Sequence, residues 1–263
     1  MDQWNHTVML KEFMERYDYA GAVAHAKKME IKDEKIISLL NSCKHAMNFD
    51  FRSALNELWT VNENTENNKK IEEIKTNLQN LIDGQPDAIF SELIENTSIQ
   101  LTNHQYIDFL SRVYRLKEAI MKYIFVKSHI NKNKFSFMSE IVSKRMILKV
   151  LRKKYKIYNP NLSFAIASYV VKYLNKDKRY SEVLAILDSN KMNEIIELRH
   201  ECIAGHGFKG VNRESLTRIY GNPDYIIDDF LDALGRIGVR VHGNKYKKIN
   251  GYIWNTLENM SVQ

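Results

Sequence analysis

The sequence predicts an all-α protein, and three observations lead to this fold class. The chain of 263 residues contains only three prolines and ten glycines. Apolar residues recur at helical spacing through most of it, whereas strand-type alternation is hard to find. Hydrophobic residues make up 44% of the chain, enough to build the core of one or two domains. We expect a helical domain over residues 1–100, followed by a helical bundle over residues 101–263.

The first domain is predicted to consist of helical hairpins, because residues 7–61 contain an internal echo. The segment Tyr17–Val23 (Y-D-Y-A-G-A-V) is echoed thirty-two positions later by Phe49–Leu55 (F-D-F-R-S-A-L). Each copy has an aromatic residue, an aspartate suited to capping a helix, a second aromatic residue and small residues before an aliphatic one. A period of about 32 to 34 is typical of stacked helix pairs of the tetratricopeptide kind. This domain should therefore be a scaffold rather than a catalytic unit.

The rest of the chain is divided by polar and turn-forming segments. Residues 61–70 and 131–135 are predicted to be loops, and the domain boundary is placed within residues 96–103, which show no periodicity. Residues 239–241 are the one candidate for extended backbone. Helices are predicted over residues 71–81, 104–129, 138–155, 162–174, 179–187, 225–234 and 251–260, and a further one begins at Asn190 or Asn193.

Charge is distributed unevenly along the chain. Residues 1–110 hold 11 Lys and Arg against 18 Asp and Glu, a balance of −7. Residues 111–263 hold 28 against 14, a balance of +14, and the two sum to the net charge of +7. A strongly basic half suggests a polyanionic partner, most commonly nucleic acid. The alternative is a solvated basic surface that binds nothing.

Several protein classes are disfavoured by the sequence. It contains no apolar run of about 18 residues, and residues 1–5 lack the build of a secretory signal. Cys43 and Cys202 lie far apart and form no metal-binding or redox spacing. We expect a reduced cytoplasmic protein without a membrane segment, disulfide, metal or cofactor.

The segment Asn190–Gly210 contains the candidate catalytic residues. Asn190 or Asn193 is expected to cap a helix, which the glycines from Gly205 onward should end. Arg199 and His206 are seven residues apart, so on a continuous helix they would share one face, about 10 Å apart along the axis. The same face should bury an apolar stripe comprising Met192, Ile195, Ile196, Cys202 and Ile203.

An arginine with a histidine suits the cleavage of RNA, which carries its own nucleophile in the 2′-hydroxyl. A histidine can move protons at the 2′-oxygen or at the leaving 5′-oxygen. A guanidinium group can stabilise the charge that grows on the phosphate. One pair is a sparse site, but two pairs facing each other across a two-fold dimer interface would form a fuller one.

Ordinary structural roles also account for these residues. His206 can favour the negative end of a helix dipole, and Arg199 can pack its stem while its charged group reaches water. His200 can orient the arginine or the phosphate, or simply be exposed. Cys202 is expected to be a small packed apolar residue.

The run R-H-E-C-I-A-G-H at residues 199–206 resembles the catalytic motif of HEPN ribonucleases. In that superfamily an Arg, followed by Asn, Asp or His, precedes a His after four to six intervening residues. The Tyr17–Ala22 element, the helical first domain and the basic second domain further resemble the accessory ribonucleases of type III-A CRISPR systems. Those proteins comprise a Rossmann-like sensor of cyclic oligoadenylate, a helical connector and a HEPN nuclease domain.

This resemblance implies a connector over residues 1–100 and a HEPN domain over 101–263. It implies a homodimeric, metal-independent endoribonuclease for single-stranded RNA, with Arg199 and His206 catalytic and His200 supporting them. We expect these residues to lack the sensor domain, so cyclic oligoadenylate is expected to act only through a domain absent from this chain. Lys209 and Arg213, in the loop after the motif, are candidates for contacting RNA.

Two other functions remain open on the sequence. The chain can be a non-catalytic adaptor that binds protein through its acidic half and nucleic acid through the basic run Lys144–Lys154. It can also be an antitoxin-like HEPN partner of a nucleotidyltransferase-type protein, using the fold for dimerisation alone.

Overall fold

The computed structural model describes residues 3–59, 68–129 and 136–261, and within these ranges the protein is entirely helical. It contains fourteen α-helices and no strand there, which confirms the all-α fold class. The predicted loop at 131–135, and the predicted loop at 61–70 up to residue 67, lie outside the described residues. The helices are α1 (Gln3–Glu15), α2 (Tyr19–Lys28), α3 (Glu34–Met47), α4 (Phe51–Trp59), α5 (Asn68–Ile82), α6 (Pro86–Thr102), α7 (Tyr106–His129), α8 (Lys144–Tyr155), α9 (Leu162–Tyr173), α10 (Lys178–Leu187), α11 (Asn190–Glu201), α12 (Arg213–Tyr220), α13 (Asp224–Arg236) and α14 (Lys245–Ser261).

The chain forms two compact units, whose boundaries differ from the predicted division at residue 100. The first unit comprises residues 1–83 together with 244–263, and the second comprises residues 84–243. The second unit therefore includes α6, and the last helix, α14, belongs with the start of the chain.

The internal echo of the first unit corresponds to a repeated local structure. Asp18 Oδ1 accepts a hydrogen bond from the backbone N–H of Gly21 at 2.9 Å, and Asp50 Oδ1 accepts one from Ser53 at 3.1 Å. In each copy the residue before the aspartate has a left-handed backbone, and the aromatic residue after it is buried. The alanine three residues further on is fully buried in both copies. The two segments thus begin two helices, α2 and α4, in the same way.

Helix α14 joins the first unit through a partly buried polar contact. The hydroxyl of Tyr19 donates to Asn250 Oδ1 at 2.9 Å, and Asn250 Nδ2 donates to the carbonyl oxygen of Met14 at 2.7 Å. The ring of Tyr246 is fully buried, with its centroid 5.8 Å from that of Tyr19. Burial is the main cause that raises the pKa of Tyr19 well above its ordinary value. Residues 245–250, which lie outside the helices predicted from the sequence, belong to α14.

The second unit is built around α7, which contacts α6, α8, α9, α11 and α13. Residues 96–102, where the domain boundary was predicted, belong to helix α6. Eleven of the seventeen residues of α6 are buried. A helix covered on most of its surface shows no amphipathic period, so the periodicity criterion missed it. Its polar residues find partners within the unit, as when the hydroxyl of Thr97 donates to the carbonyl oxygen of Leu93 at 2.6 Å.

The second unit differs from the predicted helices in two further places. Helix α8 begins at Lys144 rather than at Met138, because Ser143 caps it by accepting a hydrogen bond from Met146. Helix α12 was not predicted, since it has only eight residues. Residues 239–241, the candidate for extended backbone, lie in a connection without regular secondary structure.

The charge asymmetry persists in the two observed units, but its size changes. The second unit holds 25 Lys and Arg against 17 Asp and Glu, a balance of +8. The first unit holds 14 against 15, a balance of −1. The excess positive charge thus belongs to the second unit, whereas the first is nearly neutral.

Among the described helices, none combines the length and the apolar character needed to cross a membrane. Cys43 and Cys202 are both buried, and they are not joined in a disulfide.

Candidate functional site

Helix α11, which carries Arg199 and His200, is fixed by its cap and by its buried face. Ser189 caps its start, with its side-chain oxygen accepting a hydrogen bond from the backbone of Met192 at 3.3 Å. The predicted caps, Asn190 and Asn193, do not fill this role. Asn193 instead accepts a hydrogen bond at 3.0 Å from Lys117 of α7, whose ammonium group also pairs with Asp188 at 3.1 Å. These contacts hold α11 against α7.

His206 does not lie on α11, which corrects the prediction that it shares a helix face with Arg199. The helix ends at Glu201, and Cys202 has an extended backbone. The buried stripe follows Met192, Ile195 and Leu198 and ends at Cys202. Ile203, predicted to be buried with them, is 67% exposed.

The chain returns to the end of α11 directly after Cys202. The backbone N–H of His206 donates to the carbonyl oxygen of His200 at 3.1 Å, and that of Lys209 donates to the carbonyl oxygen of Glu201 at 3.0 Å. The carbonyl oxygen of Cys202 accepts from Gly205 at 2.9 Å and from Gly207 at 3.3 Å. Carbonyl groups at the end of a helix lack partners within it, and these amides supply them. The main chain of His206 therefore lies beside the residue that follows Arg199.

Two glycines make this close return possible. A Cβ atom on Gly207 would lie 1.9 Å from the carbonyl oxygen of Glu201, and one on Gly205 would lie 2.5 Å from Cα of His200. In both cases the obstacle is backbone, which cannot move aside as a flexible side chain would. We call residues 202–207 the α11 turn.

The guanidinium group of Arg199 rests on an aromatic ring. Its Cζ lies 4.8 Å from the ring centroid of Tyr114 on α7, a distance at which a cation and a ring face attract each other. Its Nη1 donates to Nδ1 of His200 across 3.3 Å, and the rings of Tyr114 and His200 meet edge to face at 6.1 Å. Arg199, His200 and Tyr114 thus form one cluster with half-buried side chains.

No carboxylate pairs with Arg199 within the described parts of the chain. Its Nε is enclosed and has no hydrogen-bond partner among these residues. Other cations of the second unit do have acidic partners, such as Arg179 with Asp177 at 2.7 Å. A half-buried guanidinium group whose charge is not neutralised is suited to bind an anion.

Tyr114 is the site residue that sequence analysis missed. It lies within the helix predicted over residues 104–129, where a tyrosine at helical spacing usually indicates burial. Its ring is only half-buried, and its neighbour Arg115 is exposed. No feature of the sequence links Tyr114 to Arg199, because the two are 85 positions apart and meet only through the packing of α11 on α7.

The other predicted site residues lie at different places around the α11 turn. The side chain of His206 is exposed. Lys209 Nζ donates to Glu201 Oε2 at 2.6 Å, so its charge is partly compensated. Arg213 is the exposed first residue of α12, after the cap formed by Asn212. Arg199, His200 and the main chain of His206 are therefore brought together, whereas Lys209 is engaged by Glu201 and Arg213 belongs to the next helix.

Cys202 has a packing role, as predicted. It is fully buried, and its thiol donates to the carbonyl oxygen of Arg199 at 3.2 Å. In the residues that the structure describes, no group of three or more His, Cys, Asp or Glu side chains is placed to hold a metal ion.

Comparisons of this chain with protein-family models, with curated proteins and with solved structures each found no match.

The α11 turn should tolerate no side chain at Gly207. We expect Gly207→Ala to displace the turn and to lower the free energy of unfolding by about 1–3 kcal/mol, because its Cβ meets the backbone of Glu201. Hydrogen exchange should show lost protection of the His206 amide. Gly210→Ala is the matched control, since a Cβ at Gly210 has open space around it. Equal stability and equal amide protection in the two variants would refute this account of the turn.

Proposed function

We propose that this chain is a metal-independent endoribonuclease of the HEPN type that cleaves single-stranded RNA. The observation that carries the proposal is the α11 turn, which returns the main chain of His206 to the end of the helix that holds Arg199. Arg199 presents a guanidinium group supported by Tyr114, and its charge has no acidic partner in the described ranges. A guanidinium group and a histidine whose main chain lies at the same helix end suit a phosphodiester substrate.

The reaction would use the 2′-hydroxyl of the substrate as nucleophile. Its oxygen forms a bond to phosphorus, the bond from phosphorus to the 5′-oxygen breaks, and one proton moves from the 2′-oxygen to the leaving 5′-oxygen. His206 would carry protons at one or both of these atoms, since imidazole exchanges protons near neutral pH. Arg199 would stabilise the charge on the phosphate oxygens in the transition state. The products are a 2′,3′-cyclic phosphate and a 5′-hydroxyl.

His200 and Tyr114 would act through Arg199. The ring of Tyr114 supports one face of the guanidinium group, and Nδ1 of His200 accepts a hydrogen bond from Nη1. These contacts restrict the Arg199 side chain without neutralising its charge, so the side chain loses less conformational entropy when the phosphate binds.

A second copy of the chain would complete the site. Ile203 and Phe208 flank His206, and their side chains are 67% and 93% exposed. Large apolar residues so exposed beside a candidate active site favour a surface that is covered in the working protein. A two-fold interface there would bring two copies of the α11 turn together. The resemblance to type III-A accessory ribonucleases adds antiviral defence as the proposed setting.

A non-catalytic adaptor is the second candidate function. The repeated helix starts at Asp18 and Asp50 are typical of stacked hairpins that bind other proteins. The ion pair of Lys209 with Glu201 also removes one predicted RNA contact. An adaptor would bind RNA without cleaving it.

Cleavage of a fluorescent single-stranded RNA in the presence of EDTA tests the proposal. We expect the unaltered protein to cleave, and we expect His206→Ala and Arg199→Ala each to lower the rate by at least about 100-fold, because each removes a group that acts in the transition state. His242→Ala, which truncates another exposed histidine of the second unit, should cleave like the unaltered protein.

Two outcomes would count against the ribonuclease. If all three variants cleave equally, the activity resides elsewhere or belongs to a contaminant. If the unaltered protein binds RNA but never cleaves it, at concentrations where it is dimeric, the adaptor function takes its place.

Substitution of Tyr114 tests whether its ring positions Arg199. Tyr114→Phe keeps the ring face and should retain near-normal cleavage. Tyr114→Leu removes it and should lower the turnover rate by about 10- to 100-fold, since small displacements of a catalytic group are costly. Thermal unfolding of both variants controls for stability. Equal loss of activity in the two variants would exclude a role for the ring face.

A further inference from the structure

Helix α8 carries an unusual concentration of positive charge. Residues 144–156, which are α8 and its C-cap, contain seven Lys and Arg and no Asp or Glu. All seven are exposed: Lys144, Arg145, Lys149, Arg152, Lys153, Lys154 and Lys156. In the described residues none of the seven has an acidic partner within ion-pair distance. By contrast, Arg179, Lys209 and Arg236 elsewhere in this unit are paired with carboxylates.

The positive charges form a stripe because of their spacing. Arg145, Lys149, Arg152 and Lys156 recur at intervals of four, three and four, so they follow one face of the helix. Ile147 and Leu151 lie on the opposite face and are fully buried in the core. Like charges along a helix repel one another and lower its stability. Binding of a polyanion would relieve this repulsion.

Aromatic rings adjoin the C-terminal end of the stripe. The rings of Tyr155 and Tyr173 lie 4.9 Å apart, and the hydroxyl of Tyr173 donates to the carbonyl oxygen of Tyr155 at 3.2 Å. Nζ of Lys154 lies 5.4 Å from the ring centroid of Tyr155, and Nζ of Lys172 on α9 lies 5.4 Å from the ring centroid of Tyr173. Tyr173 is 42% exposed and Tyr158, just beyond α8, is 68% exposed. We call the stripe together with Tyr158 and Tyr173 the α8 surface.

We propose that the α8 surface is a binding site for single-stranded RNA, separate from the α11 turn. Unpaired cations can follow the phosphates, and exposed tyrosines can stack on bases, a combination typical of sites for single-stranded nucleic acid. The choice of RNA rather than DNA rests on the proposed ribonuclease function. An anionic membrane suits the surface less well, because the apolar face of α8 is occupied by the protein core and cannot enter lipid.

The experiment measures RNA binding by the full chain carrying His206→Ala, in EDTA, so that cleavage does not interfere. Into this background we would introduce Arg145→Gln, Lys149→Gln and Arg152→Gln together, since glutamine removes charge and keeps helix propensity. The matched control removes one Lys and two Arg from exposed sites elsewhere in the second unit, namely Lys178, Arg218 and Arg240. Circular dichroism would verify that both proteins are folded.

The α8 triple variant should bind a fluorescent single-stranded RNA at least about tenfold more weakly at roughly 0.1 M salt. The slope of the logarithm of its binding constant against the logarithm of salt concentration should fall in magnitude by about 2, because three phosphate contacts are lost. The control triple variant should bind nearly as the background protein does. Tyr158→Ala should weaken binding about fivefold or more through lost stacking, whereas Tyr225→Ala, which removes another exposed tyrosine, should not. Equal weakening by the two triple variants, or no weakening by the α8 variant, would overturn the proposal.

Two further measurements separate this proposal from the others. If the α8 triple variant loses binding to phosphatidylserine vesicles but keeps RNA binding, the surface binds membranes and the RNA proposal is wrong. If His206 is restored and the α8 triple variant then binds and cleaves RNA normally, the α8 surface is not an RNA-binding site, whereas the proposed ribonuclease function stands. If the unaltered protein never cleaves RNA but binds it, and the α8 triple variant loses this binding, the proposed ribonuclease function is wrong and the RNA-binding role of the α8 surface stands.

Discussion

The candidate site depends on how the last carbonyl groups of α11 find hydrogen-bond donors. The amides of His206 and Lys209 fill this role for His200 and Glu201, and this is possible only because the chain passes closer to the helix than any side chain would permit. Gly205 and Gly207 are therefore part of the site as much as the residues that would carry chemistry. The same close passage determines where the main chain of His206 lies relative to the residue that follows Arg199.

A second constraint acts on the arginine. Helix α11 is held to α7 by Lys117, which contacts both Asn193 and Asp188, and this packing places Tyr114 under the Arg199 guanidinium group. An aromatic face supports a cation without cancelling its charge, whereas a carboxylate would cancel it. The packing of α11 on α7 thus both stabilises the second unit and positions the candidate catalytic arginine.

The sequence predicted the helical class, the repeated helix starts and the candidate residues Arg199, His200 and His206, but neither Tyr114 nor the geometry of the α11 turn. Periodicity continued through Cys202 and Ile203 because both are apolar, although the first is buried by the turn and the second faces solvent. The apolar residues of helix α6 show no clear helical period, because the helix is buried on most sides. Tyr114 and Arg199 lie far apart in sequence, so their contact follows only from tertiary packing.

The most direct test of the central claim is to identify the ends of the RNA fragments produced in EDTA by mass spectrometry. Attack by the 2′-hydroxyl, assisted by Arg199 and His206, predicts fragments that end in a 2′,3′-cyclic phosphate and begin with a 5′-hydroxyl. A substrate with a 2′-O-methyl group at the cleaved position should then resist cleavage. Fragments with a 5′-phosphate and a 3′-hydroxyl, or cleavage that proceeds at the methylated position, would contradict the proposed chemistry.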